Sequence, residues 1–399
     1  ISNPERDFIK DSEGLVLCDS CINFFALAKD QIQLSREQKK PSLKPTKSNP
    51  MTTHHLQTLP SPDELYNLLS LKVISQEEAK RTLAIAVAHH YRRLRDPAIG
   101  KSNILLIGPT GTGKTELGRS ISEILQVPFI SADATSFTSK GYVGEDVDSI
   151  IVRLLASCQW DREKAEQGII FIDEIDKVAR RGNGDHQMST VAVQQELLRL
   201  IEGSEVKVNI PNPQSPVGHD SVYLDTSKIL FICAGAFVGL DELVSKQSSR
   251  PLGISGSLQE NKVDWTTQLE SKHLIQYGII PEFLGRLPII ANTHKLSKID
   301  LMAILQDVNN SIINQYTRLF AQDGIDIKFS VDFLEDIAEL AIKKDLGARG
   351  LRQIMENKMK PIFFEIKKYS GQNIEVFKDN SFISLNFHEM LDWFENFGC

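Results

Sequence analysis

Apolar residues fall into two kinds of run along this chain. NILLIG (Asn103–Gly108), VPFISAD, GIIFIDE and KILFICAG are short unbroken runs rich in β-branched and aromatic residues, the pattern of strands buried on both faces. Between and before them the apolar positions recur at helical spacing, as with Leu117, Ile121, Ile124 and Leu125, or Leu83, Ala84, Val87 and Ala88. Strand alternating with helix predicts an α/β fold, a parallel sheet with helices on each side. Ser61-Pro62-Asp63 has the form of a helix start ahead of that region. Beyond about Lys295 the strand runs thin out. SKIDLMAILQDVNNSIINQYTRLFAQ, SVDFLEDIAELAIKK and ARGLRQIMENKMKPIFFEIKK read as amphipathic helices, with IDIKFS and NSFISLNF as short strands. This predicts a large domain over 59–294 and a smaller, mostly helical one over 295–399.

The first part of the chain differs. Residues 1–30 hold Cys18 and Cys21 as one Cys-x-x-Cys pair and the run INFFALAKDQI. Residues 31–58 are polar and rich in Pro, Ser, Thr and Lys, which reads as a flexible linker. There is no internal repeat. The first residue is Ile1, not Met, which predicts a fragment or a processed form.

Composition narrows the functional classes. A chain of 399 residues is too long for one ordinary core. With 41% hydrophobic and 24% charged residues it matches a soluble globular protein. A net charge of -7 argues against a general nucleic-acid binder. No apolar run approaches the roughly 20 residues that cross a bilayer, and no signal-peptide pattern opens the chain. Five cysteines, few and odd in number, suit a reducing compartment better than a disulfide framework.

The chemistry begins where the first strand run ends. Gly108-Pro109-Thr110-Gly111-Thr112-Gly113-Lys114-Thr115 fits G-x-x-x-x-G-K-[ST] between a buried strand and a helix. Its glycines let backbone N–H groups converge on phosphate oxygens, and the helix start adds positive potential. Lys114 would reach the β- and γ-phosphates and the Thr115 hydroxyl would ligate Mg²⁺; Glu116 extends the nucleotide-binding stretch. GIIFIDEIDK places Asp173 and Glu174 at a strand's C-terminal edge. There Asp173 would hold Mg²⁺ through water, and Glu174 would orient and deprotonate the attacking water. ATP hydrolysis is the expected reaction.

With these motifs in place, ADATSFTSKGYVGEDVDSII, VQQELLRLIEG, LDTSKILFICAGAF, IIPEFLGRLPII and LGARGLRQIME follow in an order and spacing that resemble the ClpX family of hexameric AAA+ protein unfoldases, from about Leu59 to about Phe387. The resemblance implies a homo-hexamer that uses ATP and Mg²⁺ to thread unfolded or tagged proteins into a ClpP-type peptidase, in a bacterial cytoplasm or a mitochondrial matrix. The acidic balance and an aromatic loop without a neighbouring basic stripe argue against a nucleic-acid partner. The lack of a spanning apolar run argues against a membrane one. The resemblance also implies that Tyr142 and Val143 sit on the pore loop that grips the translocating polypeptide. Arg286 matches the arginine finger that reaches the neighbouring subunit's nucleotide, and Arg349 matches the second sensor on the small domain. Val73 and Ile74 match the residues that cradle adenine. No polar first sensor is evident in FICAGAF.

Departures from the family pattern limit the transfer. The family's zinc module uses two Cys-x-x-Cys pairs in the full-length protein, and this chain has only Cys18 and Cys21, too few thiolates for a tetrahedral site. His54 and His55 lie in the linker and read as plain polar residues. The peptidase-docking loop reads Leu252-Gly253-Ile254, an aliphatic where the family has an aromatic anchor. That leaves a stand-alone remodeller that does not engage ClpP as the alternative. The basic entrance loop is reduced to His219, and the second pore loop reads HQMSTVAVQQ and looks shorter. Ser75 stands where the family has glycine; if that backbone needs a positive φ, serine costs about 1–2 kcal/mol.

Overall fold

The computed structural model describes residues 8–10, 16–18, 59–96, 98–137, 146–179, 185–211, 219–248, 265–306, 311–378 and 382–385. The chain divides into two compact units, Ile1–Gln57 and Thr58–Cys399. In the first, β1 (Phe8–Lys10) and β2 (Val16–Cys18) form an antiparallel hairpin, with Phe8 opposite Cys18. Cys21, His54, His55 and the linker lie outside the described residues, as do Tyr142, Val143 and the Leu252-Gly253-Ile254 loop.

The second unit is built on a five-stranded sheet of order β4-β5-β8-β3-β9, parallel throughout. Its strands are β3 (Ile104–Ile107), β4 (Phe129–Asp133), β5 (Ile169–Asp173), β8 (Leu230–Gly235) and β9 (Ile289–Asn292). The alternation of strand and helix expected from the sequence is therefore present. Central strands β3 and β8 are buried at every position, as unbroken apolar runs require. Leu105, Ile107, Ile170, Ile172, Phe231 and Cys233 belong to one core on a single face. Their alternating neighbours, including Leu106, Phe171 and Ile232, are equally closed to solvent on the other face.

VPFISAD departs from the expectation of two buried faces. As β4 it is an edge strand, and only Ala132 in it is fully buried. The opposite edge, β9, gives no long apolar run and was not anticipated; it follows the PEFLG turn of helix and pairs with β3, placing Ile107 opposite Asn292. An antiparallel hairpin of β6 (Glu205–Pro211) and β7 (His219–Asp225) stands apart from the main sheet. HQMSTVAVQQ, read from sequence as a loop, lies within the helix Asp185–Glu202; it contains no glycine or proline to interrupt the helical ladder.

A second hydrophobic core joins Leu301, Tyr316, Phe320, Phe333, Ile337, Leu351 and Met355 in the C-terminal region. The long segment expected as one helix from Ser297 is two, Lys298–Gln306 and Ile312–Gln322. Ser311 restarts the second by accepting from the Asn314 N–H. Helices Val331–Lys343 and Ala348–Phe364 follow. A small sheet runs β10 (Asp326–Phe329), β11 (Asn373–Val376), β12 (Phe382–Leu385), of which β11 was not anticipated. The helix start read at Ser61 has a complete capping box: Ser61 accepts from the Glu64 N–H while Glu64 accepts from the Ser61 N–H.

Candidate functional site: a phosphate loop meeting a second domain surface

The loop after β3 turns into helix Lys114–Leu125 through Gly113, whose φ of 91° suits glycine alone. Lys114 is only 8% exposed. Its ammonium donates to the carbonyls of Gly108 at 2.6 Å and Pro109 at 2.8 Å. Burial pulls its pKa below the ordinary lysine value; Asp173 and Asp176 oppose that pull and Arg349 adds to it. Two strands away, β5 ends in Asp173, whose Oδ2 accepts from the Thr115 hydroxyl at 2.9 Å. Glu174 follows with a φ of 56°, a conformation that costs a side-chain-bearing residue about 1–2 kcal/mol. Strain held at such a position accompanies functional sites.

Lys114, Thr115, Glu116, Asp173, Glu174 and Arg349 all line one cavity of about 490 Å³. Arg349 reaches it because two glycines let the backbones touch. The Ala348 N–H donates to the Gly111 carbonyl at 3.0 Å. A Cβ on Gly111 would stand 2.5 Å from the Leu346 carbonyl oxygen, and one on Gly347 would stand 2.7 Å from that of Gly111. Neither glycine can be exchanged without parting the surfaces. A second cavity of about 710 Å³ adjoins, lined by Pro109, Thr110, Thr112, His294, Leu301 and Ile342 among others.

These groups fit a magnesium nucleotide. A hydroxyl beside a carboxylate is an all-oxygen donor set of the kind Mg²⁺ takes. The Lys114 ammonium, held on carbonyls alone, can be exchanged onto phosphate oxygens. Cys18 and Cys21 do not by themselves make a closed zinc site, and among the described residues no group of three or more His, Cys, Asp or Glu is placed to hold a metal.

Other expected residues sit elsewhere. Arg286 is outside the lining of both cavities; its Nε donates to Glu202 Oε1 at 2.9 Å, with both side chains about half exposed. Val73 is buried, and its carbonyl accepts from the Lys80 ammonium at 3.2 Å. Ile74 is partly buried, and neither of the two lines the cavities. Ser75 has a φ of 62°, so the condition on which serine would be strained there is met. Asp176, Lys177, Ala236 and Val238 line the phosphate cavity and were not foreseen. Asp176 is buried, and its Oδ1 accepts from the Ala236 N–H at 3.1 Å, tying the segment after β5 to the end of β8. Its place as the second aspartate of DEID was the available signal, but no spacing in the sequence pairs it with Ala236.

Comparison with known proteins places this geometry. Residues 100–290 match the model of the AAA domain (Cdc48 subfamily), and 296–368 match that of the C-terminal, D2-small domain, of ClpB protein. The ATP-dependent Clp protease ATP-binding subunit ClpX of Treponema denticola is 38% identical over 382 residues, 92% of this chain and 88% of that protein. The chain belongs to the ClpX family. The Bacteroides fragilis member is 40% identical over 391 residues, covering 95% of this chain and 92% of its own length. A second ClpX of Wolinella succinogenes is 40% identical over 364 residues, 89% and 86% of the two lengths. As a ClpX-family member the chain is an AAA+ ATPase chaperone that uses nucleotide and Mg²⁺. Among the described residues no helix is long and apolar enough to cross a membrane.

Proposed function

We propose that this chain is the ATP-hydrolysing subunit of a homo-hexameric protein unfoldase that threads substrates through its pore into a ClpP-type peptidase. The observation that carries the reading is the convergence of Lys114, Thr115, Asp173, Glu174 and Arg349 on one cavity. Lys114 leaves the Gly108 and Pro109 carbonyls to bind the β- and γ-phosphates, with the loop N–H groups from Thr110 to Thr115 around them. Thr115 and Asp173 hold Mg²⁺, which when bound neutralises phosphate charge. Glu174 orients the attacking water and takes its proton. Val73 and Ile74 cradle the adenine once the nucleotide is bound. Arg349, anchored through Gly347 and Ala348 to Gly111, reports nucleotide state to the C-terminal domain. Arg286 exchanges Glu202 for the nucleotide of a neighbouring subunit, a contact worth about 10³–10⁵ in rate in other nucleotide hydrolases.

Tyr142 and Val143 grip substrate, since an aromatic and an aliphatic hold a polypeptide of any sequence. Leu252-Gly253-Ile254 docks on the peptidase, while Cys18 and Cys21 supply two thiolates of a zinc module. The working compartment is a bacterial cytoplasm or a mitochondrial matrix. A stand-alone remodeller is the second reading, favoured by the aliphatic Ile254 in the docking loop.

ATP-dependent loss of fluorescence from a stable tagged fluorescent protein, with several unstructured tags, tests both. Loss that requires ClpP supports the protease subunit. Loss with an inert trap for unfolded protein, and none with ClpP, supports the free-standing unfoldase. Brisk ATP hydrolysis with no loss for any tag would overturn threading. Tyr142→Ala should leave hydrolysis largely intact while weakening unfolding; equal loss of both would remove Tyr142 from the pore.

A further inference from the structure

The geometry points to Thr293 as a positioning residue of the phosphate loop, one that ties nucleotide loading to the connector leading into the C-terminal domain. Thr293 lies directly after β9 and before the helix Lys298–Gln306. Its backbone N–H donates to the Ile107 carbonyl at 2.7 Å, extending the sheet to the residue that precedes the loop. Its hydroxyl lies 2.8 Å from the Thr112 hydroxyl, and that hydroxyl in turn donates to the Pro109 carbonyl at 2.9 Å. Thr112 and Thr293 are 4% and 3% exposed, so water does not compete for these bonds. The Thr112 proton has the Pro109 carbonyl at 2.9 Å, whereas the other acceptor open to Thr293, the Ile107 carbonyl, stands at 3.4 Å, so the shorter pair of bonds makes Thr293 the donor to Thr112. The result is a buried chain from connector to loop, Thr293 to Thr112 to Pro109. Thr293 also fills the space over Gly108, where a Cβ would meet its Oγ1 at 2.1 Å.

The Pro109 carbonyl is shared. In this structure it accepts from both the Thr112 hydroxyl and the Lys114 ammonium. When Lys114 moves to phosphate, Thr112 becomes its remaining donor of the two, and Thr293 is what holds Thr112 in place. The neighbouring His294 is clamped as well. The Gln76 amide donates to its carbonyl at 2.8 Å and accepts from its N–H at 2.9 Å. Rearrangement of the loop therefore pulls on a connector fixed at two successive residues. This inference rests on the loop being the nucleotide site.

The test uses the full chain, with a fluorescent ADP analogue for affinity and steady-state ATP hydrolysis for KM and kcat. Thr293→Val keeps the shape and removes the donor. It should weaken ADP binding and raise KM about five- to tenfold, the loss of one buried hydrogen bond, while kcat changes less than twofold. Thr293→Ser should restore binding. A Thr293→Val protein with wild-type affinity would overturn the proposal, as would failure of serine to rescue, because packing by the methyl group would then be the whole role. Thr112→Val, alone and combined with Thr293→Val, supplies a second measurement, and Thr112→Val alone reports on the same chain if Thr293→Val folds poorly. The double variant should bind no worse than the weaker single one, and additive losses would refute the chain. Lys114→Ala separates the two layers: it should abolish binding, and normal binding there would overturn the site assignment along with this inference.

Discussion

His90 offers a pH test that does not depend on the nucleotide. It lies in the helix Glu77–Arg93, fully buried, with its ring edge-on to Tyr91 at 5.1 Å between centroids. Neither ring nitrogen makes a hydrogen bond of full geometry, and the Lys228 backbone is the polar group that approaches the ring. Burial, reinforced by the nearby positive charges of Lys101 and Arg93, drives its pKa down to about 3; the Lys228 backbone opposes this only in part. The folded ring thus stays neutral to about pH 3, whereas in the unfolded chain it takes up a proton near pH 6.5. Between those values the unfolded state binds more protons, so stability is full above pH 6.5 and falls as pH falls. At pH 5 the loss from this one group is about 2 kcal/mol, from roughly 1.4 kcal/mol for each pH unit below 6.5. For a domain of this size that is about 4–8 °C in Tm. His90→Leu removes the titration and leaves no buried polar atom behind. Calorimetry of both proteins at pH 7.5, 6 and 5 should show the wild type losing that much more than the variant. Parallel decline of the two curves would refute the reasoning, because other groups would then account for the whole acid response.

Substitutions at three further positions have expected outcomes. Gln76→Ala leaves the His294 N–H and carbonyl without the partners they have now, which should cost about 2–4 kcal/mol, read by denaturant unfolding. At Ser75, with its φ of 62°, Ser75→Gly relieves strain of about 1–2 kcal/mol but loses the contact to His294 Nε2 and adds unfolded-state freedom, so stability should change by about 1 kcal/mol or less. Ser75→Val should cost about 2 kcal/mol or more, and a valine variant as stable as glycine would disprove strain at this position. Glu174→Gln should bind ATP as the wild type does and hydrolyse it about 10²-fold more slowly or worse, measured by phosphate release beside a binding titration.

The readings that transferred from sequence to site share a physical property: their chemistry is written in contiguous residues. The phosphate loop needs its glycines, lysine and threonine in one turn, and β3 must be apolar to bring that turn to a sheet edge, so both halves can be read locally. Asp173 follows for the same reason, because a buried run that ends in acid can only place the acid at the strand's mouth. The Thr293–Thr112 contact joins residues 181 apart in sequence, and the Asp176–Ala236 contact joins residues 60 apart. No periodicity encodes either pair. Strand β9 escaped because an edge strand of four residues has partners on one side alone and needs no continuous apolar run. The helix over HQMSTVAVQQ escaped for a different reason: the expectation of a loop came from family pattern, while the residues themselves carry no helix breaker. Ser75 shows how the two sources combine. Family pattern marked the position where glycine is usual, and steric reasoning turned that mark into a condition on φ, which the backbone meets at 62°. A left-handed serine followed by a left-handed, fully buried Gln76 is a shape the local sequence does not favour. The Gln76 bonds to His294 hold it there, so the strain of one segment is balanced by the connector that leaves the sheet for the C-terminal domain.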